Sequence, residues 1–116
     1  MYVKNIEWLD EDIREAIIFV TDGKFELKCF SSCCDYAKDS IIQSELEVLS
    51  AYDIYIVDGD ERIIYNNGFF YELVAKKVQN CLHVGKIRIN IENEYIAKDI
   101  ADGEYVHVKI ERIDLF

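Results

Sequence analysis

The sequence predicts an all-β chain, folded as a small closed or partly open antiparallel barrel, with a β-sandwich as the alternative. Three observations carry that expectation. Four of the five glycines follow Asp or Asn, at Gly23, Gly59, Gly68 and Gly103, and such dipeptides make tight turns because they tolerate positive φ. Between these turns apolar and polar residues alternate, the period of a strand with one buried and one wet face. One stretch, Ala16–Phe30, writes a whole hairpin: an apolar run over Ala16–Val20, the turn Asp22-Gly23, then Phe25, Leu27 and Cys29 alternating with Glu26 and Lys28.

Taken in order, Tyr2–Leu9 reads as a first strand, followed by an acidic turn at Asp10-Glu11-Asp12. Ser31–Asp35 has no periodicity and reads as a loop. Glu45–Leu49 and Tyr52–Val57 read as strand, with a bend or bulge at Ser50-Ala51. Asp58-Gly59 turns the chain into a short strand, Arg62–Tyr65, and Asn66-Asn67-Gly68 turns it again into a long one, Phe69–Val78. Leu82–Ile91 returns as one strand, with Gly85 as a bulge or barrel corner. Glu94–Ile100 is an irregular crossing, and Asp102-Gly103 leads into a last strand, Tyr105–Ile113, whose phase breaks near Arg112. Bent strands joined by tight hairpins are how a small Greek-key barrel closes.

Length and composition set bounds. The 116 residues, about half apolar and with 15 aromatics, suffice for one domain, 1–116, whose core needs neither metal nor disulfide. No cofactor is expected. The formal charge of −10 repels nucleic acid and anionic membrane in bulk and suits a basic partner. The acid is uneven: residues 71–90 carry Lys76, Lys77, Lys86 and Arg88 against Glu72 alone. The longest purely apolar run is Ala16–Val20, far below the roughly 20 residues of a membrane helix. Met1–Lys4 opens without the apolar core of an export signal. A cytoplasmic location with reduced cysteines is expected.

Three constellations carry chemistry. Cys29, Cys33, Cys34 and Cys81 form an alternative thiol or zinc site, but the spacing lacks the paired C-x2-C knuckles that deliver a tetrahedron. Phe69, Phe70 and Tyr71 lead into Lys76, Lys77, Lys86 and Arg88, aromatics beside cations that can stack and hold a ligand. Oligonucleotide binding by this basic hairpin is a second alternative. Asp58-Gly59-Asp60-Glu61 gathers carboxylates without the spacing of a calcium loop. Only two histidines occur, His83 and His107, and neither pairs with a nucleophile motif; His107 alternates with Val106 and Val108 and is expected to face solvent. No nucleotide-binding or hydrolase motif stands in the chain, so catalytic residues are not assigned and the balance leans away from an enzyme.

The segments Val20–Ser31, Asp102–Val106 and Arg112–Phe116 resemble small acidic bacterial proteins of unassigned function with an OB-like β-barrel. The resemblance covers about a third of the chain. It implies a bacterial cytoplasmic origin and a barrel, and it carries no functional residue. The expectation for function is therefore a non-enzymatic binding or interaction module. Its expected ligand is another protein or a small molecule, rather than nucleic acid or a membrane.

Overall fold

A computed structural model describes residues 1–92 and 95–116. Among these residues there are nine strands and no helix longer than a single turn: β1 Tyr2–Asp10, β2 Glu15–Thr21, β3 Glu26–Ser31, β4 Leu46–Ile56, β5 Arg62–Asn67, β6 Phe70–Val78, β7 Cys81–Val84, β8 Ile87–Asn90 and β9 Tyr105–Asp114. No helix among the described residues is long and apolar enough to cross a membrane.

Five of these strands close a barrel. Following the hydrogen-bonded neighbours gives β9-β4-β8-β7-β6 and back to β9. Every contact in the ring is antiparallel except β4 with β8, a short parallel seam of Leu46 with Ile89 and Glu47 with Asn90. The inward side chains come from alternate positions, as the period of two requires: Leu73 and Ala75 on β6, Leu82 and Val84 on β7, Ile87 and Ile89 on β8, and Val106, Val108 and Ile110 on β9, all fully buried. Each such Leu or Ile contributes about 1.5–3 kcal/mol of transfer free energy.

β1, β2 and β3 form an antiparallel sheet that extends the barrel. Its inner face, Ala16, Ile18, Val20, Leu27 and Cys29, joins the same core cluster. The sheet meets the barrel through β9, which runs past β6 to pair in parallel with β3 at Phe30 and Asp114. Leu115 N–H donates to the Phe30 carbonyl at 2.9 Å, and Lys28 N–H donates to the Tyr71 hydroxyl at 2.7 Å.

The structure modifies several expectations. The first hairpin is not a two-residue turn: β2 and β3 are joined by Asp22–Phe25, and only Gly23 takes positive φ, at 97°. Leu82–Ile91 is not one strand. Gly85 and Lys86 form a two-residue turn between β7 and β8, with Val84 opposite Ile87. Gly85 sits at φ 61°, so the glycine works as the first residue of a tight hairpin turn and not as a bulge. Glu45–Leu49 and Tyr52–Val57 fuse into the single strand β4. Ser50 takes positive φ (63°) while the pairing with β9 keeps its register there; the register shift falls at Asp53 (φ 53°). Of the expected crossing Glu94–Ile100, Glu94 lies outside the described residues; the rest is irregular, with Ile96 and Ile100 buried against the barrel.

Candidate functional site: a tyrosine face over a histidine–glutamate pair

The outer face of β4, β9, β6 and β5 is built as two rows. Tyr52 lies opposite Lys109, Lys109 opposite Glu72, and Glu72 opposite Tyr65. In the next row Tyr55 lies opposite His107, His107 opposite Val74, and Val74 opposite Arg62. Tyr52, Tyr55 and Tyr65 are 40%, 52% and 52% exposed. Strands about 4.8 Å apart thus set tyrosines on both flanks of a polar centre. Phe70, half-buried, extends the far flank by packing on Tyr65 with ring centroids 6.1 Å apart.

Tyr52 and Tyr55 are three residues apart. On a regular strand they would face opposite sides. The bulge at Asp53 supplies the extra residue that returns Tyr55 to the outer face. Asp tolerates the left-handed conformation better than most residues, and both of its polar ends are used here. Its carbonyl faces Nδ1 of His107 at 2.8 Å, and its carboxylate pairs with Lys109 Nζ at 3.2 Å. That hydrogen bond and the adjacent negative charge hold the Lys109 ammonium above its ordinary pKa.

His107 is the fixed point of the site. Contrary to the sequence expectation it is not turned to solvent: it is 5% exposed. Tyr55 covers it, stacked with centroids 4.5 Å apart and planes 13° from parallel. Its Nε2 lies 2.6 Å from the Glu72 carboxylate. A carbonyl only accepts, so Nδ1 donates to Asp53. Both ring nitrogens are therefore engaged, and the imidazole has no free site for proton transfer to a ligand. The pair acts as a scaffold: it fixes Glu72 and holds Tyr55 in one orientation.

Beside this face, partial burial and the neighbouring Glu111 carboxylate raise the Tyr52 phenol above its ordinary pKa. Residues 52–67 carry four acids, Asp53, Asp58, Asp60 and Glu61, against Arg62 alone, so the surroundings are negative.

The residues singled out from sequence are distributed differently. Tyr71 is buried in the core, and its phenol is raised by burial. Phe69 is half-buried in a separate group, edge-on to Phe30 at 6.2 Å and under Lys28 at 5.3 Å. The four cations do not form one patch. Lys76 and Arg88 share an outer row with His83 between them; burial, then those two charges, push the His83 pKa down. Lys77 points the other way and is paired with Asp102 at 2.8 Å. Lys86 lies in the β7–β8 turn, not on a strand face with Arg88, and Arg88 donates to the Gln43 carbonyl at 2.7 Å.

The four cysteines are all free thiols and do not converge. Cys29 and Cys34 are buried and Cys33 is exposed; Cys81 faces out from β7 with its Sγ 3.6 Å from Glu45. Burial, reinforced by Asp114, pushes the Cys29 thiol far up; burial, then Glu45, raises Cys81. Among the described residues no group of three or more His, Cys, Asp or Glu is placed to hold a metal ion.

Comparison with protein families, with curated proteins and with solved structures returned no match for this chain.

Proposed function

We propose that this protein is a non-enzymatic binding module, and that the tyrosine face of β4, β9, β6 and β5 takes a basic segment of a protein partner. The observation that carries the reading is Tyr55 held flat over a buried, doubly bonded His107. An exposed ring fixed in advance loses little rotamer freedom on binding. Tyrosine faces attract guanidinium and ammonium groups, by about 0.5–1 kcal/mol each at exposed sites. The carboxylates around them add the long-range attraction that steers a cationic partner. The formal charge of −10 acts in the same direction.

The closed ring with its three-strand meander β6-β7-β8 supports the OB-like reading of the barrel. Four free thiols fit the reducing bacterial cytoplasm that the resemblance implies.

The test is a titration of the isotope-labelled full chain with an arginine-rich peptide, followed by NMR. Shifts concentrated at Tyr52, Tyr55, Tyr65 and His107 are expected. Shifts centred on Lys76 and Arg88, or none at millimolar peptide, would refute the reading.

A further inference from the structure

Beyond the tyrosine face itself, the sheet ends in an open edge beside it. β5 pairs only with β6, and among the described residues no strand or loop hydrogen-bonds its other side. An unpaired edge presents a row of free N–H and C=O groups, a template for another strand. The opposite edge of the sheet is different. The start of β1 is covered by residues 39–42, through Val3 N–H to Ser40, Asp39 N–H to Val3 and Ile42 N–H to Met1, and its register shifts after Val3 and after Trp8. β5 has no backbone cover of this kind among the described residues, although its own register shifts once, between Ile63 and Tyr65. It also exposes Ile64 and Tyr65, and Tyr65 stands in the same row as Glu72, Lys109 and Tyr52.

Charge decides what fits. Asp58, Asp60 and Glu61 lead into β5, and Glu72 faces Tyr65 across the β5–β6 pair. A second copy of this chain would bring the same acids, at −10 per copy, against them. A cationic strand would neutralise them. We infer that the free edge of β5 takes an extended basic segment of the partner as a tenth strand, with alternate Arg or Lys side chains turned onto Tyr65 and the tyrosine face. This rests on the proposed function and adds the mode of binding: main-chain hydrogen bonds supply affinity, and the tyrosine face selects the side chains.

The experiment uses the full chain and a fluorescent eight-residue peptide in which Arg alternates with Val and Thr. Two further forms carry backbone N-methyl groups, one on the odd residues and one on the even residues. An added strand uses only every second N–H toward the edge, so one methylated form is expected to bind about tenfold or more weakly, having lost several main-chain hydrogen bonds. The other is expected to bind much as the unmodified peptide does. Ile64→Lys, which places a cation on the edge, is expected to weaken binding about tenfold by charge repulsion. If the peptide binds and Tyr55→Ala weakens it, but both methylated forms bind equally, strand addition is overturned and the tyrosine face stands. If the unmodified peptide does not bind, both fall. A dimer of the chain that Ile64→Lys dissociates would overturn the basic segment as the occupant of the edge.

Discussion

The carboxylate of Asp22 occupies the space a Cβ on Gly85 would need. Asp22 Oδ1 accepts from Lys24 N–H at 2.9 Å and Phe25 N–H at 2.8 Å, and its Oδ2 accepts from Lys86 N–H at 2.8 Å. One side chain thus closes the β2–β3 turn and ties it to the β7–β8 turn, 64 positions along the chain. A Cβ on Gly85 would collide with Oδ2 and lie 2.9 Å from the Phe25 ring, at a φ of +61°. Gly85→Ala is therefore expected to cost about 2–4 kcal/mol, combining left-handed strain with loss of the latch. Urea denaturation measures it. A change below about 0.5 kcal/mol would mean that the two turns do not meet as described.

The same latch sets a pH dependence. Partial burial alone would raise the Asp22 pKa, but the backbone donors of Lys86, Phe25 and Lys24 outweigh it and hold the carboxyl below its ordinary 3.8. With the folded value below the unfolded one, the ionised group stabilises the fold above about pH 4, and that contribution is lost as pH falls through the folded value. Asp22→Asn is expected to be less stable than the parent at pH 7 and to converge with it near pH 2. Parallel denaturation curves at the two pH values check this.

At the tyrosine face, Glu72 separates two substitutions that resemble each other. Glu72→Gln offers an amide N–H to Nε2 of His107 and is expected to be tolerated. Glu72→Ala leaves a buried ring nitrogen without a partner and is expected to cost about 1–3 kcal/mol. Thermal unfolding of both variants, with the parent as reference, distinguishes them. Equal losses would show that the hydrogen bond does not matter.

The bulge gives a third handle. Asp53→Gly keeps access to positive φ, whereas Asp53→Val does not. The valine variant is expected to lose about 1–3 kcal/mol more than the glycine variant and to release Tyr55 from its stack. The upfield ring-current shifts of stacked Tyr55 protons report the second effect directly.

The thiols should separate by access. Cys33 is expected to react first with a disulfide reagent. Cys81, whose thiol is pushed up by burial and then by Glu45, should follow more slowly. Cys29 and Cys34 should react only on unfolding. A third reactive thiol in the native protein would contradict the burial of Cys29 or Cys34.

Much of this architecture is legible in local chemistry. Asp22-Gly23, Asp58-Gly59 and Asp102-Gly103 mark turns, and the alternation of Val106, Val108 and Ile110 gives the inner face of β9. Gly85 was harder, because a two-residue turn inside an alternating run keeps the alternation intact on both sides. His107 was harder still. Its burial depends on Tyr55 folding over it, which depends on the bulge at Asp53 and on β4 pairing with a strand more than 50 residues away. The signal that existed was the spacing of Tyr52 and Tyr55: two large side chains three apart on one strand share a face only if the strand bulges between them. The scattering of the cations has two sources: neighbours on β6 face opposite sides, which parts Lys77 from Lys76, and the Gly85 turn takes Lys86 off the strand.

The proposed capture of a basic segment by the tyrosine face, with Tyr55 stacked on His107, is tested most directly by the affinity of an arginine-rich peptide for the parent chain and for Tyr55→Ala, by fluorescence anisotropy. The parent is expected to bind, more weakly as salt rises because the attraction between exposed charges is screened, and Tyr55→Ala is expected to bind about tenfold more weakly with its stability intact. Equal affinity for the two proteins would contradict the claim.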